Sequence, residues 1–84
     1  MIIQLIFYGS EGCHLCDQAY ELLMPAMAQK RIMVTYRDIL EDSSLEERYS
    51  LRIPVIQDAA SEQELDWPFD TDELDAFLEQ LQNR

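Results

Sequence analysis

The sequence predicts a single α/β domain over residues 1–84, with the element order βαβαββα and a mixed four-stranded sheet flanked by three helices. Three observations lead there. Short β-branched and aromatic runs alternate with stretches whose apolar residues recur at helical spacing, and turn and capping residues fall between them. A chain of 84 residues also has room for one core and not for two. With 48% hydrophobic residues, two Gly and three Pro, it lacks the bias of a disordered segment.

Residues 2–8 are rich in β-branched and aromatic side chains and short enough for a buried strand, after which Gly9, Ser10 and Gly12 supply turn chemistry. Leu15, Ala19, Leu22, Leu23 and Ala26 then predict an amphipathic helix over about residues 13–28, which Pro25 is expected to bend or end. Ile32, Val34 and Tyr36 alternate within residues 31–37, the pattern of a second strand. Strand, helix and strand in succession predict a parallel pair. Asp42, Ser43 and Ser44 ahead of Glu46 and Glu47 offer a capping box for a short helix to about residue 50, with Leu45 and Tyr49 turned inward. A third strand opens at Pro54 and turns over residues 58–61 into a fourth that carries Leu65 and Trp67. Asp70 and Glu73 then form a helix-start signal, followed by Leu74, Phe77, Leu78 and Leu81 on one apolar stripe.

The cysteines are two, Cys13 and Cys16, placed where the first strand gives way to the first helix. The opening MIIQLIF has neither a basic leader nor a small-residue cleavage site and is too short to span a membrane, so a cytoplasmic protein is expected. In that reducing compartment a paired Cys points to catalysis or metal binding more than to a structural disulfide. Two thiols in the first turn of a helix can bridge without remodelling the backbone. A thiolate at Cys13 faces unpaired backbone N–H groups and the positive end of the helix dipole, and such thiols have pKa values of about 3.5–7.5 against about 8.5 for a free one. His14 acts either as a cation that favours this thiolate or as a solvated first-turn residue, whereas Glu11 and Asp17 oppose it. Three alternatives stay open. The pair is two ordinary cysteines, one of them in the core; it serves a soft metal such as Cu(I), or an iron–sulfur cluster shared by two chains; or it docks a protein partner. A zinc site within one chain lacks four good ligands, and no metal is expected.

Cys13-His14-Leu15-Cys16 at the first strand-to-helix junction, Arg52-Ile53-Pro54-Val55 further on, and Trp67-Pro68-Phe69 together carry a resemblance. Over nearly its whole length the chain resembles the small bacterial glutaredoxin-like proteins of the thioredoxin fold. The resemblance implies a thiol–disulfide oxidoreductase with Cys13 as nucleophile and Cys16 as resolving thiol, His14 in support, and no cofactor required. It implies a cis Pro54 facing the thiols, with the backbone of Ile53 exposed to pair with an extended substrate. It also implies glutathione as cosubstrate, with Arg52, Asp70, Thr71 and Asp72 as its contacts. The sequence departs from the glutathione pattern in three places: Glu11-Gly12 replaces the basic residue before the first Cys, His14-Leu15 replaces the aromatic between the thiols, and Trp67-Pro68-Phe69 stands where a Gly-Gly segment belongs.

Seventeen Asp and Glu against six Lys and Arg give a net charge of −11, which repels phosphate backbones and anionic lipid surfaces. Nucleic acid and membrane are therefore not expected as partners. The expected partner is a disulfide-containing protein or a small thiol, with a reductase system to return electrons, and the expected state is a monomer.

Overall fold

The parity of the first strand decides what each face of the sheet carries. In the computed structural model, which describes residues 2–83, β1 (Ile3–Gly9) points Ile3, Leu5 and Phe7 to one side and Ile6 and Tyr8 to the other. The remaining elements follow as α1 (His14–Ala28), β2 (Ile32–Asp38), a turn of 3-10 helix (Ile39–Glu41), α2 (Ser43–Tyr49), β3 (Val55–Asp58), β4 (Glu64–Asp66) and α3 (Thr71–Gln82). The sheet order is β2-β1-β3-β4, with β2 parallel to β1 and the β3–β4 hairpin antiparallel. The fold is thus the mixed four-stranded α/β arrangement read from the sequence.

The larger core lies between the sheet and the two long helices. Ile3, Leu5 and Phe7 of β1 and Ile56 of β3 meet Ala19, Leu23 and Ala26 of α1 and Leu74, Phe77, Leu78 and Leu81 of α3. On the opposite face a smaller cluster of Tyr8, Ile39, Tyr49 and Val55 is closed by Ile6 and Leu45. Covering both faces buries β1 on both sides, which explains its nearly unbroken apolar run.

Helix starts follow the sequence signals. Asp70 accepts from the Glu73 N–H at 2.8 Å while the Glu73 carboxylate accepts from the Asp70 N–H at 3.2 Å, a complete capping box. The capping box expected for α2 does not form, because its third helical residue is Leu45 and not a Glu; Asp42 caps that helix alone, accepting from both the N–H and the hydroxyl of Ser44. Those hydrogen bonds, the hydroxyl's foremost, hold the Asp42 carboxyl below the usual carboxylate range.

Two further sequence expectations are corrected. Of the two alternatives for Pro25, to bend or to end α1, the second fails: the helix runs on to Ala28, the bound its apolar pattern predicts. Pro25 and Glu21, whose carbonyl loses the Pro25 N–H as a donor, both lie on the solvent side, where an unpaired carbonyl costs little. The helix stops instead at a Schellman motif: the Arg31 N–H donates to the Ala26 carbonyl and the Lys30 N–H to the Met27 carbonyl, with Lys30 at φ 59°. The second correction concerns Gly9, which is the last residue of β1 and not part of the turn; among the turn residues, Gly12 has a positive φ of 80°.

Lys30 occupies a left-handed position that costs a side-chain-bearing residue about 1 kcal/mol relative to Gly. Lys30→Gly should therefore stabilise the protein by about 0.5–1 kcal/mol in urea denaturation; an unchanged or lowered midpoint would mean that the Lys30 side chain contributes contacts of its own.

Candidate functional site

At one end of the sheet the close of β1 meets the close of β2 and the opening of β3. Gly9 pairs with Asp38, and Tyr8 pairs with Val55, so Pro54 lies at the same end as the Gly9–Gly12 turn that leads into α1. Cys13 is the N-cap of α1, extended at φ −84° and ψ 108°, and its sulfur accepts from the Cys16 N–H at 3.1 Å. The sulfur thus fills the place of the usual Ser, Thr or Asp oxygen at a helix start. Cys13 and Cys16 are joined as a disulfide with Cα atoms 5.2 Å apart. The two half-cystines are not equivalent. Cys13 is partly exposed, while Cys16 is only 6% exposed and belongs to the main core.

Gly9 is the residue that the sequence reading assigned to the wrong role. A Cβ there would stand 3.0 Å from Cys16 Sγ, 3.2 Å from Phe7 and 3.3 Å from Tyr36. Its φ is ordinary, so the glycine serves close approach and not backbone freedom. The signal was present: position 9 continues the 3, 5, 7 parity toward α1, where Cys16 must sit.

His14 is exposed on the first turn. The Ile53–Pro54 peptide is cis, and so is Trp67–Pro68, which nothing in the sequence reading anticipated. The Trp67 N–H donates to the Pro54 carbonyl at 3.0 Å, and Trp67 stands edge-on to Phe69 with ring centroids 5.1 Å apart. Cys13, Ile53 and Trp67 all pack against the main core. Of the Ile53 backbone, expected to pair with a substrate, the N–H donates to the Tyr49 carbonyl at 3.1 Å, because residues 50–53 turn tightly back over the end of α2. Asp70 is engaged in its capping box. Thr71 lines a shallow notch with Glu21, Leu22 and Pro25, well along α1 from the thiols, and Asp72 is exposed in the first turn of α3.

A family model described as Glutaredoxin-like domain (DUF836) matches residues 4–79. The chain belongs to that family. The crystal structure of the structural-genomics target XcR50 from X. campestris is 43% identical, with a TM-score of 0.80 over 90% of this chain and 96% of that one. Ne2328 from Nitrosomonas europaea, solved by NMR, is 28% identical with a TM-score of 0.76 over 89% of each chain. Thioredoxin 1 from Thermosipho africanus TCF52B, 13% identical, superposes with a TM-score of 0.63 over 96% of this chain and 99% of that one, and the fold is accordingly of thioredoxin type. No curated protein matches the chain. Among the described residues no group of three or more His, Cys, Asp or Glu is placed to hold a metal, and no helix is long and apolar enough to cross a membrane.

In this glutaredoxin-like chain the residue before Ile53-Pro54 is held by two carboxylates of β4. Arg52 donates to both oxygens of Asp66 at 3.0 Å and to Glu64, and its guanidinium stands 5.0 Å from the centre of the Tyr49 ring. The two carboxylates hold Arg52 firmly charged, the Asp66 hydrogen bond foremost. Its role is therefore to bind β4, and the sequence reading, which gave it to glutathione, missed these partners. Behind it the Tyr49 hydroxyl donates to Glu64 at 2.6 Å, Gln57 donates to the same carboxylate at 3.4 Å, and the Tyr8 hydroxyl donates to Gln57 at 2.8 Å. The Tyr8 and Tyr49 rings stack at 4.2 Å. This network ties the Arg52–Pro54 loop to the hairpin.

Two expected outcomes follow from this geometry. Gly9→Ala places a methyl group against Cys16 Sγ and two aromatic rings, and should cost about 1–3 kcal/mol in urea denaturation of the oxidised protein; undiminished stability would show that Cys16 is not held by Gly9. Tyr49 provides a pH test. Burial, and after it the bond to Glu64, push its phenol from 10.0 up to about 12. The folded state thus prefers the protonated phenol, so this contribution is complete below pH 10 and is lost as pH rises through about 12. Stability measured by denaturant titration should fall across that window, and Tyr49→Phe should flatten the fall.

Proposed function

We propose that the protein is a thiol–disulfide oxidoreductase in which Cys13 is the attacking thiol and Cys16 the resolving one. The observation that carries this reading is the inequality of the pair: one sulfur caps a helix at the surface, and the other is buried one turn in, within disulfide distance. In the reduced protein a Cys13 thiolate gains the Cys16 N–H and the positive end of the α1 dipole. It attacks one sulfur of a substrate disulfide, forming a Cys13–substrate bond as the substrate S–S bond breaks, and the leaving thiolate takes up a proton from water. Cys16, deprotonated in turn, attacks the Cys13 sulfur, closes the Cys13–Cys16 disulfide and releases the second substrate thiol. Two electrons pass to the substrate. The disulfide form described above is the product of that cycle, and a dithiol, or two monothiols, must return the electrons.

The substrate class proposed is a protein disulfide or mixed disulfide. Glutathione as cosubstrate is the narrower proposal and loses support from Arg52, whose guanidinium is spent on Glu64 and Asp66. His14, exposed beside the cap, is proposed as support for the thiolate, and the Ile53 carbonyl as the backbone acceptor for an extended substrate.

Alkylation of the reduced protein across pH should label Cys13 first, with an apparent pKa below that of a free thiol, and His14→Ala should raise that value if the imidazolium contributes. Cys16→Ser should accumulate a mixed disulfide at Cys13 that mass spectrometry detects and the native pair resolves. Equal labelling of both thiols at an unperturbed pKa would remove the reading.

A further inference from the structure

Beside the disulfide the fold leaves an aromatic surface uncovered. Phe7 is buried in β1, and two tyrosines lie against it: Tyr20 of α1, edge-on with centroids 6.1 Å apart, and Tyr36 of β2, tilted at 6.0 Å. Both tyrosines are nearly half exposed, at 41% and 49%. Tyr36 is out on the edge strand, and Met24, 52% exposed, extends the Tyr20 face by one turn. The surface adjoins the reactive pair. Tyr36 and Cys16 Sγ approach the same point above Gly9, at 3.3 and 3.0 Å.

Its rim is negative. Asp17 precedes Tyr20 by one turn on α1, Asp38 follows Tyr36 on the same face of β2, Glu11 comes from the turn before α1, and Glu41 from the 3-10 helix after β2. Burial and then Asp38, Glu11, Glu41 and Asp17 all raise the Tyr36 phenol pKa, which places these four carboxylates in one electrostatic neighbourhood. The basic groups nearby in the chain are His14 and Arg37, the latter on the opposite face of β2 and acting on Asp42. Exposed aromatic faces ringed by carboxylates suit one kind of side chain: a guanidinium or ammonium, whose charge is drawn to both and whose aliphatic stem covers the ring.

We propose that the Tyr20–Tyr36 surface docks an Arg- or Lys-bearing segment of the partner protein, extended beside the disulfide that Cys13 attacks. This rests on the oxidoreductase reading and names its substrate class as disulfides flanked by positive charge. The charge complementarity also steers encounter: a net charge of −11 accelerates approach of cationic substrates and slows anionic ones, and salt removes the difference.

The test has two arms. In the first, the oxidised protein, unable to exchange, is titrated at low salt with cysteine-free peptides of equal length bearing either Arg and Lys or Glu, and followed by NMR. The expected result is binding of the cationic peptide alone, with shifts concentrated at Tyr20, Tyr36 and residues 9–17 and 36–41, weakened at least tenfold in Tyr20→Ala/Tyr36→Ala. Shifts scattered over the whole acidic surface, no binding, or equal binding of both peptides would overturn the proposal. In the second arm the reduced protein reacts with the same peptides carrying a mixed disulfide. The cationic substrate should react at least tenfold faster at low salt, the ratio should approach one in molar salt, and the double substitution should reduce the ratio. Equal rates at low salt would overturn docking while leaving the redox reading intact; no exchange with either substrate alongside cationic binding in the first arm would overturn the redox reading and leave a cation-docking surface.

Discussion

Pairing of β1 on both of its edges is the constraint from which the rest of the molecule follows. Its full length is in register with β2, and residues 5–8 pair with β3, so the strand cannot slip without breaking two ladders. That lock fixes parity. Odd positions from Ile3 to Phe7 build the main core with α1 and α3, even positions build the smaller cluster under α2, and position 9 falls, by the same count, directly beneath Cys16. A slip of one residue would put Tyr8 where Phe7 meets its two neighbouring tyrosines and would carry a side chain into the place of the missing Cβ. The site is thus an outgrowth of strand register, with the helix N-terminus supplying the field and Gly9 supplying the space.

The second level of organisation is polar and lies on the other face. The Arg52–Pro54 loop is anchored through a guanidinium shared between two carboxylates of β4, and one of these, Glu64, is fixed in turn by Tyr49 and Gln57. Its charged members are partly exposed, so solvent screening limits their net stabilisation, and the network contributes positional definition more than net stability. Here it sets the height of Ile53 and Pro54 relative to the sheet end where Cys13 emerges. Loop and thiols are positioned by independent devices that share only β1 and β3 as a common floor.

Much of this was legible before any coordinates. Periodicity and the Asp70 and Glu73 pair marked α3, alternation marked β2, and the placement of two thiols at a strand-to-helix junction marked the candidate site. What escaped were facts that depend on tertiary neighbours. Gly9 reads as a turn glycine because nothing local tells close approach from a positive φ. Pro25 reads as a bend or a stop because the solvent exposure that makes its missing N–H harmless belongs to the packed helix. Arg52 reads as a free cation because Glu64 and Asp66 reach it only once the hairpin is closed.

The exposed outer edge of β2 carries a consequence for how the protein behaves in bulk. β2 is an outer strand of the sheet, and Met33 and Tyr36 on it are 59% and 49% exposed. An open strand edge with apolar side chains is a template for pairing with another molecule, and what keeps copies apart is mutual repulsion. With a pI near 4.1, that repulsion vanishes as the pH falls toward 4. Near pH 4 the charge that separates copies is gone, and it no longer opposes edge-to-edge association.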